Sequence, residues 1–111
     1  MPRDPESVLD ILTAARLVER FVQDVDEAAF YGDLMRQAAV MREIEIVGEA
    51  AKRVSGTFRA QHPEIPWRKM AGMRDVLIHA YDHVDLRELW NVTQRSIPDL
   101  IALIEPLTPS E

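Results

Sequence analysis

Residues 33–56, DLMRQAAVMREIEIVGEAAKRVSG, decide the fold. Met35, Ala38, Ala39, Met41, Ile44, Ile46, Val47, Ala50, Ala51 and Val54 return at helical spacing, without the alternation of a strand. The spacing predicts a helix over Leu34 to Val54, capped by Asp33. Ser55-Gly56 is the expected stop, with Gly56 free to take the left-handed cap. Gly48, inside the run, costs about 1 kcal/mol against alanine. Close approach of a neighbouring helix usually offsets that cost, so a tight helix crossing is expected at Gly48.

Working outward, the rest of the chain reads as helix too. Val8, Leu9, Ile11, Leu12, Ala15, Leu17, Val18, Phe21 and Val22 form an apolar stripe on a first helix, with Asp4 as the expected cap, Pro5 at the first helical position and an end near Gln23. Phe30 and Tyr31 fit a single turn before Gly32. His62-Pro63-Glu64-Ile65-Pro66-Trp67 is a stiff connector, because the residue before each proline is pushed away from helix. Trp67, Met70, Met73, Val76, Leu77, Ala80 and Tyr81 then mark a third long helix running through Tyr81. Asp85 with Glu88 starts another helix, and Pro98 kinks it or opens a fifth piece. No hairpin signal appears. The expectation is an all-α, four- to five-helix up-and-down bundle filling residues 1–111 as a single domain.

Composition narrows the function classes. The chain is 47 % hydrophobic and 29 % charged, a globular balance. It carries no cysteine, which removes disulfides, thiolate metal sites and a cysteine nucleophile. It has no apolar run near the roughly 20 residues of a membrane span, and its N-terminus lacks a signal-peptide core. A cytoplasmic location is therefore expected. The net charge of −6 argues against a general nucleic-acid coat. Its distribution is uneven: Asp4 to Glu49 carries a net of −7, and Lys52 to Arg74 a net of +5. One basic stretch can still engage a polyanion at one place.

The chemistry gathers in Arg74-Asp75-Val76-Leu77-Ile78-His79-Ala80-Tyr81. On a helix, Asp75 and His79 are an i, i+4 pair, so the carboxylate can hold one imidazole nitrogen. Arg74 and Tyr81 fall almost in line, two turns apart. His79 can move a proton near neutral pH, and Arg74 can hold a phosphate bidentately and stabilise the charge that builds on it. That suits phosphodiester cleavage in RNA, whose 2′-hydroxyl is an internal nucleophile. From spacing alone, an exposed arginine and a histidine satisfied at a helix surface remain the more ordinary explanation.

The order of motifs changes that balance. Ile46-Val47-Gly48-Glu49-Ala50-Ala51-Lys52-Arg53, then His62-Pro63-Glu64-Ile65-Pro66-Trp67, then Gly72 to Tyr81 with its Arg-x4-His-x-Tyr, then Val84-Asp85 and Leu89-Trp90, resemble the HepT-like toxins of the HEPN superfamily over essentially the whole chain. The resemblance implies a ribonuclease toxin of a two-gene toxin–antitoxin module, acting as a homodimer with the two Arg-x4-His motifs meeting in a cleft. It further implies a nucleotidyltransferase antitoxin, MntA, that blocks the toxin by attaching AMP to the motif tyrosine. By position, Arg74 and His79 become the catalytic pair, Asp75 their supporting residue and Tyr81 the modified one. Lys52, Arg53, Arg68 and Lys69 are candidates for guiding the RNA backbone.

Other residues read as structural first. His62 belongs to the connector and His83 to a helix break; no histidine pair has zinc-ligand spacing, so neither metal nor cofactor is expected. Trp67 and Trp90 are core or interface anchors before base-stacking platforms. Glu43, Glu45 and Glu49 read as a solvated face, with Glu49 the best placed to meet the active helix. The alternative function, from a different class, is a non-catalytic nucleotide-binding or partner-docking module.

Overall fold

The computed structural model describes residues 3–79 and 83–108, with residues 76, 78, 79 and 83 described by their backbone alone. Two long amphipathic rods set the frame: α1 (Asp4–Val22) and α3 (Leu34–Arg53). They run antiparallel, since Arg53 reaches Asp10 at 3.4 Å at one end and Arg36 donates to the Phe21 carbonyl at the other. Between them sit Asp24, which takes the left-handed backbone that Asp tolerates (φ 60), and the short α2 (Glu27–Tyr31). Buried Gln37 donates to the carbonyls of Phe30 and Tyr31, so the open end of α2 is satisfied by α3.

Capping follows the sequence at Asp33, whose carboxylate accepts from the Arg36 amide at 3.0 Å. Two expectations are corrected. Asp4 is not the cap of α1: Arg3 holds that position, and the Asp4 carboxylate accepts instead from the Ser55 amide (2.8 Å) and hydroxyl (2.7 Å). Gly56 is not a left-handed cap either. Ser55 accepts from the Phe58 amide at 3.1 Å and starts α4 (Gly56–Gln61), so the chain begins a new helix at Gly56 and needs no left-handed residue there.

After the proline connector comes α5 (Trp67–Leu77), antiparallel to α3. The third helix was expected to continue through Tyr81, and the structure corrects this. Helix ends at Leu77, and a small antiparallel ribbon follows, β1 (Ile78–His79) against β2 (His83–Val84). The Leu77 carbonyl, which a continuing helix would offer four residues ahead, accepts instead from the Asp85 amide at 2.9 Å. β-branched Ile78 suits the extended backbone.

Asp85 caps α6 (Leu86–Asn91) through the Glu88 amide, as expected. A π-helical turn, Val92–Ser96, joins α6 to α7 (Ile97–Ile104), and a 3-10 turn over Glu105–Leu107 follows. Pro98 lies at the start of α7 and has no amide to give the preceding turn. The wider turn, in which the Ile97 amide reaches the Val92 carbonyl, carries the helical run up to it. Among the described residues the architecture is thus a bundle of four rods (α1, α3, α5 and the α6–α7 run) with short α2 and α4 across its ends.

The core is two stacked clusters. Val8, Ile11, Val47, Met70 and Ile104 represent the first; Val18, Phe30, Ile44, Leu77, Leu89 and Ile97 the second. Each is built from α1, α3, α5 and the α6–α7 run, which fixes the α3–α5 pair against the remaining rods. Trp67 is buried in the first, its Nε1 donating to the His62 carbonyl at 3.0 Å, and half-buried Trp90 packs on Phe30. No helix among the described residues is long and apolar enough to cross a membrane.

Candidate active site

Gly48 sets the geometry of the site. A Cβ added there would stand 3.2 Å from the Met70 carbonyl oxygen and 3.4 Å from that of Ala71. The expected tight crossing is therefore present, and it joins α3 to α5. One turn away from that point along each antiparallel helix stand Glu45 and Arg74, facing one another. Together with Glu49, Lys52, Ala71 and Asp75 they line an open cleft of about 220 Å³.

Arg74 is half-exposed at this cleft, with its Nε 3.6 Å from the Glu45 carboxylate and its Nη1 3.8 Å from that of Asp75. Glu45 keeps 34 % of its side-chain surface and Asp75 keeps 81 %. Coulomb attraction is stronger where less water screens it, so Glu45 is the more effective of the two partners. Glu49 was expected to be the acidic residue best placed to meet the active helix. It does line the cleft, but the α3 carboxylate that reaches Arg74 belongs to Glu45, one turn earlier. The signal was present in the sequence: with antiparallel helices crossing at Gly48, the residue three before it faces the residue three or four after the crossing point on α5.

The i, i+4 helical spacing expected of Asp75 and His79 is interrupted, because the helix ends between them. Asp75 is in α5 and His79 is in β1, where its Cα pairs with that of His83. The Asp75 carboxylate lies 3.8 Å from Nη1 of Arg74. His79 follows the last helical residue by two positions and His83 stands across the ribbon from it, a juxtaposition that helical reading missed. The side chain of His79, and Tyr81 altogether, lie outside the described residues, so their expected directions belong to the function proposed below.

The four expected guiding cations are not brought together. Lys52 lines the Arg74 cleft. Arg53, one residue on and about 100° around α3, pairs with Asp10 of α1. Arg68 is exposed on α5, and Lys69 lines a different groove, with Arg95 and Asp99, between α5 and α7. His62 is structural: its ring packs at a tilt against Phe58, centroids 4.6 Å apart, and its Nδ1 lies 3.6 Å from Glu64.

A guanidinium at a solvent-open cleft, steadied by a carboxylate and flanked by an ammonium, is suited to receiving a phosphate. Comparison with known proteins bears on what that phosphate belongs to. The ribonuclease HepT-like family model matches residues 11–107. A "Probable ribonuclease HepT" of Thermococcus cleftensis is 47 % identical over 98 residues, covering 88 % of this chain and 89 % of that protein. A candidate RNase of Methanocaldococcus jannaschii is 36 % identical over 104 residues, covering 93 % and 95 %. A candidate RNase of Caldanaerobacter subterraneus is 37 % identical over 95 residues, covering 86 % and 84 %. No solved structure matches the chain.

Proposed function

The chain belongs to the ribonuclease HepT-like family and is a ribonuclease, and from that premise we propose that it is a metal-independent endoribonuclease toxin of a type VII toxin–antitoxin module, working in the cytoplasm as a homodimer. Arg74 binds the scissile phosphate and stabilises its transition-state charge. His79 moves the proton in attack by the 2′-hydroxyl, leaving a 2′,3′-cyclic phosphate and a free 5′-hydroxyl. Lys52 guides the backbone at the cleft, with Arg68 and Lys69 contributing further out. Arg53 is spoken for by Asp10, so its guiding role is the weakest.

The observation that carries this reading is Arg74 itself, held half-exposed at an open cleft beside Lys52, five residues before His79. One protomer offers a single Arg74 and a single His79, fewer groups than separate acid and base steps require, and a second copy supplies the rest. Three carboxylates against two cations leave one protomer's cleft net negative. Affinity for RNA therefore rests on the guanidinium fork and on the partner protomer, more than on bulk charge. The antitoxin is an MntA-like nucleotidyltransferase that attaches AMP to Tyr81.

The test is incubation of the purified protein with RNA in the presence of a metal chelator, followed by analysis of the new ends. Cyclic phosphate ends from the wild type, absent with His79→Ala, are the expected result. Undiminished cleavage by a folded His79→Ala protein would overturn the assignment and favour a binding or docking module.

A further inference from the structure

We infer that Glu45 is a positioning residue for Arg74, an inference that rests on the ribonuclease reading above for its catalytic consequence. The guanidinium ends a long, flexible side chain, and a phosphate-binding fork works only when it is aimed. Glu45 stands 3.6 Å from Nε, the nitrogen nearest the stem, while Nη1 lies 3.8 Å from the exposed Asp75 and Arg74 lines the open cleft. It does so from a different helix. The distance between Glu45 and Arg74 is set by the Gly48 crossing, where a methyl group would already crowd the Met70 carbonyl. Asp75, on Arg74's own helix and 81 % exposed, cannot fix the fork in that way.

Glu45 acts in two opposite senses. It aims the guanidinium, which favours the transition state, and its negative charge repels the RNA backbone, which weakens substrate binding. Loss of the charge should therefore lower kcat and lower KM together. A residue serving only the fold would lower the active fraction and leave KM where it was.

The experiment is a comparison of wild type with Glu45→Gln, Arg74→Lys and the double variant, by cleavage kinetics and by the Nε–Hε proton resonance of Arg74. The expected result for Glu45→Gln is a kcat lower by about tenfold or more, a lower KM, and an Arg74 resonance shifted to the position of free arginine. In the Arg74→Lys background, which should retain partial activity but has no guanidinium to aim, Glu45→Gln should change kcat by less than about twofold. An unmoved resonance would overturn the inference whatever the cleavage assay reads. So would an unchanged kcat in Glu45→Gln, or an equal fall in the Arg74→Lys background. A resonance that moves while the wild type cleaves no RNA would instead overturn the ribonuclease mechanism and leave the Glu45 tether standing.

Discussion

Gly48 stands so close to Met70 that α3 and α5 touch through their main chains: the missing methyl group would lie 3.2 Å from the Met70 carbonyl oxygen. In an open helix interior, Gly→Ala gains about 1 kcal/mol. Here the new atom meets two backbone carbonyls, which yield only if a whole helix shifts, and overpacking of that kind costs about 1–3 kcal/mol. Gly48→Ala should therefore destabilise the protein by about 1 kcal/mol net, read as a melting temperature lower by about 4 °C. Thermal unfolding at fixed protein concentration measures it, and a more stable variant would contradict the close crossing.

The crossing was legible in the sequence because a glycine inside an otherwise good helix needs a steric reason. The rods were legible for the same local kind of reason: apolar periodicity for α1, α3 and α5, and acidic caps at Asp33 and Asp85. What escaped was decided by contacts distant in sequence. Nothing between Arg74 and Tyr81 stops a helix locally; the bond from the Asp85 amide to the Leu77 carbonyl ends it. The basic run looked continuous, yet neighbouring residues turn about 100° apart on a helix, so Lys52 reaches the cleft and Arg53 reaches Asp10. Glu45 was visible only as one of several acids until the crossing point gave it an opposite number.

Arg74 and His79 should separate from each other by substitution. Arg74→Ala should lower cleavage by about a hundredfold or more, the usual loss for one donor to transition-state charge. Arg74→Lys should recover part of that and no more, because an ammonium lacks the bidentate fork. His79→Ala should abolish turnover while RNA affinity, measured with a 2′-deoxy substrate, persists. Full activity in Arg74→Lys would show that a point charge suffices and that the fork is not used.

Dimerisation through a face that includes α5 is the next expectation. Light scattering on the eluting protein should give twice the 12.7 kDa protomer mass at micromolar concentration. Mixing an inactive Arg74→Ala protomer with an inactive His79→Ala protomer should restore activity if the two copies share one cleft. A clean monomer, active as such, would dismiss the shared site.

Acid should weaken the start of α3 in a specific way. The hydrogen bond from the Arg36 amide, with help from the Arg36 side chain, holds the Asp33 carboxyl below its ordinary value of 3.8, against a smaller opposing effect of burial. A carboxyl lowered in the folded state contributes stability that is complete above its unfolded value and lost as pH falls through its folded one. Wild type should therefore be more stable than Asp33→Ala at neutral pH, and the difference should shrink only below pH 3.8. Chemical denaturation of both proteins across that range tests the sign; a difference that widens in acid would refute it.

Control by Tyr81 is the last expectation. Tyr81 follows His79 by two residues, and two residues span at most about 7 Å of chain. An AMP attached to its hydroxyl would bring a bulky, negatively charged phosphodiester to the neighbourhood of His79. That charge can compete with the RNA backbone for Arg74, a local electrostatic block that requires no rearrangement of the bundle. A partner nucleotidyltransferase with ATP should therefore silence the wild type and add one adenylyl group by intact mass. Tyr81→Phe should keep most of its ribonuclease activity, gain no adenylyl mass and escape silencing. If Tyr81→Phe gains the group as readily as the wild type, the modification lies elsewhere and this control fails.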